Sequence, residues 1–241
     1  MAKDAFPAAL PHGLIEELFS DVFYVRGRIV MKPLLAIGRT MTIVRQGREL
    51  TLINSVRLDD SGEVALAELG EVKHVVRIGV AHDRDDGYMV DRYGARFWAL
   101  PKMRHANGLQ PHHELSEDGE LPIEGAQLFV FRNARAPEGA LLLPVDGGLL
   151  VTCDSAQNHA DTAFASVLGK VATRAMGLHK PAQVGPPWLK FMQRPAGPPL
   201  AEDFRRLCAL EFRHLISGHG PPLVGTARDA LRSRVDENFR R

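Results

Sequence analysis

The chain has 241 residues, 45% of them hydrophobic and 24% charged, which is the make-up of a soluble globular protein long enough to bury a full core. Thirty Lys and Arg residues stand against twenty-nine Asp and Glu, so no global field favours nucleic acid or an anionic membrane, and neither is an expected partner. Two cysteines, Cys153 and Cys208, do not make a disulfide framework, no stretch approaches the ~18 apolar residues of a membrane helix, and Met1–Gly13 lacks a basic region followed by an apolar run. A reduced, cytoplasmic location is the expectation.

In chain order, strands and helices alternate. Val22–Val30 and Thr40–Gln46 are β-rich, and Gly47-Arg48 turns the chain into a third strand, Glu49–Val56, at hairpin spacing. Asp59, Asp60 or Ser61 caps a helix that runs to about Leu69, where Gly70 stops it. The β-branched run Val72–Val80 predicts a buried strand leading into a polar loop, Ala81–Tyr88. Ala95–Leu100 is a short strand closed by Pro101, and Lys102–Ile123 is a polar, loop-like stretch carrying His105, His112 and His113.

Three strands follow, Gln127–Arg132, Gly139–Pro144 and Gly148–Cys153, the last pair joined by a turn at Asp146-Gly147-Gly148. Ala160–Met176 predicts a helix, and the Pro- and Gly-rich segment Pro181–Pro199 a surface loop or lid that is partly packed down. Ala201–Leu210 is an amphipathic helix and His214–Ser217 a last short strand. Thr226 and Asp229 form a capping box for a final helix that docks through Ala227, Leu231, Val235 and Phe239. No repeat or linker divides the chain, so residues 1–241 are expected to form one domain.

Three of these strand ends deliver carboxylate or imidazole groups, and loops at strand ends hold polar groups on a rigid frame. They are Val80-Ala81-His82-Asp83-Arg84-Asp85-Asp86-Gly87, Leu150-Val151-Thr152-Cys153-Asp154 and Ile216-Ser217-Gly218-His219-Gly220. A hydrolytic metal site needs oxygen and nitrogen donors of this kind and one position left for water. No G-x-S-x-G elbow, P-loop or G-x-G-x-x-G fingerprint offers another chemistry.

From Val22 to Phe239 the order of elements and motifs resembles the metallo-β-lactamase superfamily, and in particular its degenerate branches with an H-x-x-D-D loop. The resemblance implies a four-layer αββα sandwich of two mixed β-sheets with the site at one edge. His82 falls on the first histidine of the family's H-x-H-x-D-H loop and Asp86 on its aspartate. Arg84 stands where the second histidine belongs and Gly87 where the last does. Asp154 matches the bridging aspartate and His219 the final histidine, while Glu138 is the nearest substitute for the remaining one.

The resemblance implies a metal set of His82, Asp86, Asp154 and His219, with at most one divalent ion, zinc, manganese or iron, held chiefly by Asp86, Asp154 and His219. Arginine cannot ligate and repels a cation. Arg84 is therefore expected to point into the cluster and pair with Asp85, Asp86 or Asp154. Asp86 or Asp85 would orient the attacking water and Arg84 would hold an anionic group, making the chain a metal-dependent hydrolase of a small molecule. The alternative is a metal-free, non-catalytic member of the fold that binds a ligand or a partner.

Each of these residues also has a plainer role open to it. Asp154 could cap a helix, His219 could be a turn residue, and Glu138 could be a solvated loop glutamate. Cys153 is expected to be a small buried apolar group rather than a nucleophile. His159 is near enough to Asp154 in sequence to face the cleft. Trp188, Phe191 and Met192 are expected to pack rather than to wall a substrate.

Overall fold

The computed structural model describes residues 6–197 and 199–239. Seven strands form one sheet in sequential order: β1 (His12–Phe19), β2 (Val22–Lys32), β3 (Leu35–Gln46), β4 (Glu49–Ile53), β5 (Glu71–Arg77), β6 (Arg96–Ala99) and β7 (His113–Glu114). The first four pair antiparallel and the last four, from β4 onward, parallel, so the sheet is mixed. A second mixed sheet has the order β11 (His214–Ile216), β10 (Leu149–Thr152), β9 (Gly139–Leu143), β8 (Gln127–Val130). There β10 and β11 run parallel and the other pairs antiparallel.

The alternation of side chains along each strand produces the layers. Val44, Val76, Leu141, Leu143, Leu149 and Val151, drawn from both sheets, share one buried cluster, which places that cluster between them. Their neighbours Ile43 and Val75 turn to the other side of the first sheet, where Leu66 and Met89 meet them from α1 (Asp60–Leu69) and α2 (Asp86–Tyr93). Leu150 and Ala140 turn to the other side of the second sheet. They pack there against α4 (Pro186–Met192), α5 (Leu200–Ala209) and α6 (Ala227–Phe239). The result is the four-layer αββα sandwich. Among the described residues no helix is long and apolar enough to cross a membrane.

The local elements depart from the sequence reading in a few places. Strand β1 was not expected: it is an edge strand with Leu14 exposed, so it lacks the strict alternation that marks a half-buried strand. The polar stretch 102–123 contains β7 and a 3-10 turn at Ala106–Gly108. The helix expected over Ala160–Met176 is only Val167–Ala175, α3. Phe164 has a left-handed φ of 65°, and the Ser166 hydroxyl accepts from Gly169 N at 3.1 Å, which fixes the helix start there. The lid segment folds one short helix, α4, entered through Pro186. Asp59 is the residue that caps α1, accepting from Gly62 N.

Candidate metal centre

Three strand ends meet at one edge of the two sheets. The chain leaving β5 reaches His82, which holds a left-handed φ of 67°. The chain leaving β10 reaches Asp154, and that leaving β11 reaches His219. Backbone bonds tie them: Gly218 N donates to Cys153 O at 3.0 Å and Thr40 N to Gly218 O at 2.9 Å. Glycine is needed at 218 because a Cβ there would lie 2.7 Å from His82 Cε1. Gly220 needs its φ of 82°, and a Cβ there would strike Asn158 O.

The donor atoms converge. His82 Nε2 lies 3.4 Å from Asp154 Oδ1 and 3.2 Å from His219 Nε2, and His219 Nε2 lies 2.8 Å from Asp154 Oδ1. Four-coordinate zinc, with bonds of about 2.0–2.1 Å, sets neighbouring donors about 3.3 Å apart, so these three atoms fit three corners around one ion. His219 Nδ1 donates to Gly38 O at 2.7 Å, which leaves Nε2 aimed at the site. Burial raises the proton affinity of Asp154, but His82 and His219 outweigh it and hold the carboxyl well below the usual range. Burial pushes the His82 pKa down, whereas Asp154 and the Gly38 carbonyl raise that of His219 against its burial. An ion bound here would displace the proton that His219 shares with Asp154.

Supporting groups fix this trio. Gln157 Nε2 donates to Asp154 Oδ1 at 3.3 Å, and its Oε1 accepts from His159 Nε2 at 3.0 Å. His159 stacks on His219, and its pKa is pushed down to about 3 by burial and by His219. Glu138 is buried, not a solvated loop residue. Its Oε1 accepts the backbone N–H groups of Asp154 and Ser155 at 3.2 and 3.1 Å, so it orients the strand end instead of joining the donor set. Burial and the nearby Asp154 push its pKa well up. Cys153 is buried, and its thiol pKa is pushed well up by burial, as suits a packing residue.

Asp86 and Asp85 do not take the places expected of them. Asp86 is 1% exposed at the start of α2 and lies outside the converging trio, so His82 rather than Asp86 completes it. Neither oxygen of Asp86 has a hydrogen bond of good geometry, and burial raises its pKa to about 7 against Arg77, Ser55 and Arg39. Asp85, 2% exposed, accepts from Arg39 Nη1 and Arg57 N, both at 3.0 Å, and from Arg84 Nη1. Neither carboxylate lines the two cavities that meet at the trio, so neither is placed to orient water there.

Arg84 lines the smaller cavity, but its guanidinium turns to Asp85 and to the Ala8 carbonyl rather than to Asp154 or Asp86. The cation set against the trio is Arg39, a residue the sequence reading missed. It is 1% exposed on β3 and lowers the proton affinity of both His82 and His219. The histidines of the polar stretch serve structure: His112 accepts from Phe97 N, and His113 stacks on Trp98.

Asp86 yields a stability test. Its native carboxyl keeps a proton up to about pH 7, whereas the unfolded chain releases it near the ordinary aspartate value of 3.8. Between these values the unfolded state binds fewer protons, so stability falls as pH rises. Asp86→Asn removes that loss. The variant is expected to be more stable than the parent by on the order of 2–4 kcal/mol at about pH 8, with the difference vanishing near pH 4. Urea unfolding at both pH values checks this, and a variant less stable at the higher pH contradicts it.

No family model matches the sequence, and no curated relative matches it. Solved structures do match the fold. FIM-1, a metallo-β-lactamase from Pseudomonas aeruginosa in its mono-zinc form, superposes with a TM-score of 0.62 at 15% identity, covering 96% of this chain and 98% of that one. A metallo-β-lactamase from Erythrobacter litoralis gives 0.60 at 14% identity, covering 95% and 96%. One from Hirschia baltica gives 0.61 at 15%, covering 93% and 96%. At such identities the likeness concerns architecture, and with the two mixed sheets and their outer helices it establishes that this chain has the metallo-β-lactamase fold.

Proposed function

We propose that the chain is a metal-dependent hydrolase with a single ion, held by Nε2 of His82, Nε2 of His219 and Oδ1 of Asp154. The observation that carries this reading is the spacing of those three atoms, 2.8 to 3.4 Å, on a pre-oriented frame at the mouth of two cavities. A structural neighbour, FIM-1, is known in a mono-zinc form. Bound there, a divalent ion would supply a water of lowered pKa and polarise a carbonyl or phosphoryl oxygen. The protein's own part is positional. Gln157 and Glu138 hold Asp154, Gly38 fixes the tautomer of His219, and Ile29 and Met31 form apolar walls beside the trio. Arg84, on the wall of the smaller cavity, can meet an anionic group of the substrate.

A second reading, a metal-free binding protein, is favoured by the buried charge of Arg39, which opposes a cation beside it. Elemental analysis separates the two. Protein prepared without chelator and offered zinc, manganese and iron is expected to carry one ion per chain. Two ions per chain would overturn the single-ion reading, and none after loading would leave the binding protein.

A further inference from the structure

Two cavities meet at the trio, sharing Met31, Ala81, Asp154 and His219. The larger has a volume of about 400 Å³ and lies between the β2–β3 hairpin, α3 and α4. Its walls are apolar: Ile37, Leu178, Trp188 and Met192 deep inside, with Met176 and Phe191 at the rim. Apart from the Trp188 indole N–H, which is buried without a hydrogen-bond partner, the acidic and amide groups at its inner end are already engaged. Glu138 holds two backbone N–H groups and faces the Trp188 indole, while Gln157 binds His159 and Asp154. Lys32 is exposed at the outer edge.

A polar ligand group placed here would lose its hydration and find few partners, at a cost of roughly 1–3 kcal/mol per group. An apolar group gains by leaving water. The wall is also firm, because the Trp188 ring is wedged edge-on against Phe131 and Phe204. The rim is open apolar surface, with Met31 58%, Phe191 50% and Met176 39% exposed, as at the entrance to an apolar ligand site.

We infer that this cavity seats an uncharged alkyl or aryl group of the substrate, roughly ten heavy atoms in size, with the bond to be cleaved lying over His82, Asp154 and His219. The placement of the scissile bond rests on the hydrolase reading; the apolar selectivity of the cavity does not. Straight-chain alcohols test the cavity alone, because they carry no charge for Arg39 or Arg84 and no bond to hydrolyse. Butanol, hexanol and octanol are titrated against the protein, reading the fluorescence of Trp188, which lines the cavity; Trp98 is stacked on His113 between the sheets.

Binding is expected to saturate and to tighten roughly tenfold for every two methylenes added. Ala172→Phe, which fills the cavity from α3, should weaken octanol binding by more than about tenfold. Phe191→Asp, at an exposed rim position where folding is not at stake, should weaken it as well. Alcohol titration of chelator-treated protein should give the same affinities, so a failure of the metal reading is seen separately from a failure of this one. Affinity that does not depend on chain length, or that survives both Ala172→Phe and Phe191→Asp, overturns the inference. In the metal-loaded protein, turnover of p-nitrophenyl esters should rise from acetate to octanoate; a flat series beside normal alcohol binding overturns the placement of the substrate's apolar group.

Discussion

Asp154→Ala is expected to abolish metal loading, with a loss of affinity well beyond the roughly 10–100-fold that follows removal of a supporting outer residue. Asp154 is the only anionic member of the trio, and no other carboxylate converges with His82 and His219 among the described residues; Asp83 lines the same cavity but lies outside the trio. Asp85 is held by Arg39, Arg84 and the Arg57 N–H. Asp86 is buried apart from the trio, and Glu138 is committed to the backbone of Asp154 and Ser155. The variant would leave two imidazoles beside the buried charge of Arg39, a field that opposes a cation. Competition with a chromophoric chelator measures the effect. Glu138→Gln is the comparison: it keeps the shape and one acceptor oxygen, so it should lose only the smaller, supporting-residue factor. An Asp154→Ala protein that binds zinc as tightly as the parent would show that the ion is held elsewhere.

The strand ends carrying this site were legible because each couples a β-branched or apolar run to a polar stop. Val72–Val80 stops at His82, Leu150–Cys153 at Asp154, and Leu215–Ile216 at Gly218-His219. Alternation along those runs likewise fixed which side chains lie between the sheets. The direction in which polar side chains turn was not legible. Asp86 follows His82 by four residues, but the chain between them coils into the first turn of α2, and that coil carries its carboxylate into the protein. Arg84 pairs with Asp85, one of the three carboxylates expected for it, but that bond and the one to the Ala8 carbonyl are its contacts in place of any to Asp154 or Asp86. Edge strand β1 escaped notice because its exposed positions do not alternate cleanly. Arg39 had left one clue. It shares the strand phase of Met41 and Ile43, which are fully buried, and a charged residue in that phase is rare without a specific partner.

Arg39→Met is expected to tighten zinc binding by a few-fold, up to about tenfold, while changing stability by less than about 2 kcal/mol. The second half runs against the usual loss of roughly 3–5 kcal/mol when one member of a buried ion pair is removed. That loss comes from the charge left behind. Here the charge left behind is Asp85, which keeps Arg84 and the Arg57 N–H as partners. Arg39 itself is poorly satisfied: its Nη1 reaches Asp85 at 3.0 Å, but Nε and Nη2 are buried without a hydrogen-bond partner. Methionine fills similar space without those two orphaned donors. The first half follows from charge. Arg39 lowers the proton affinity of His82 and His219, and whatever repels a proton from these nitrogens repels a divalent ion more strongly. Unfolding curves and chelator competition on the same preparation read both halves. A destabilisation above about 4 kcal/mol would mean that Asp85 depends on Arg39 alone. Unchanged zinc affinity would mean that the guanidinium does not act on the trio.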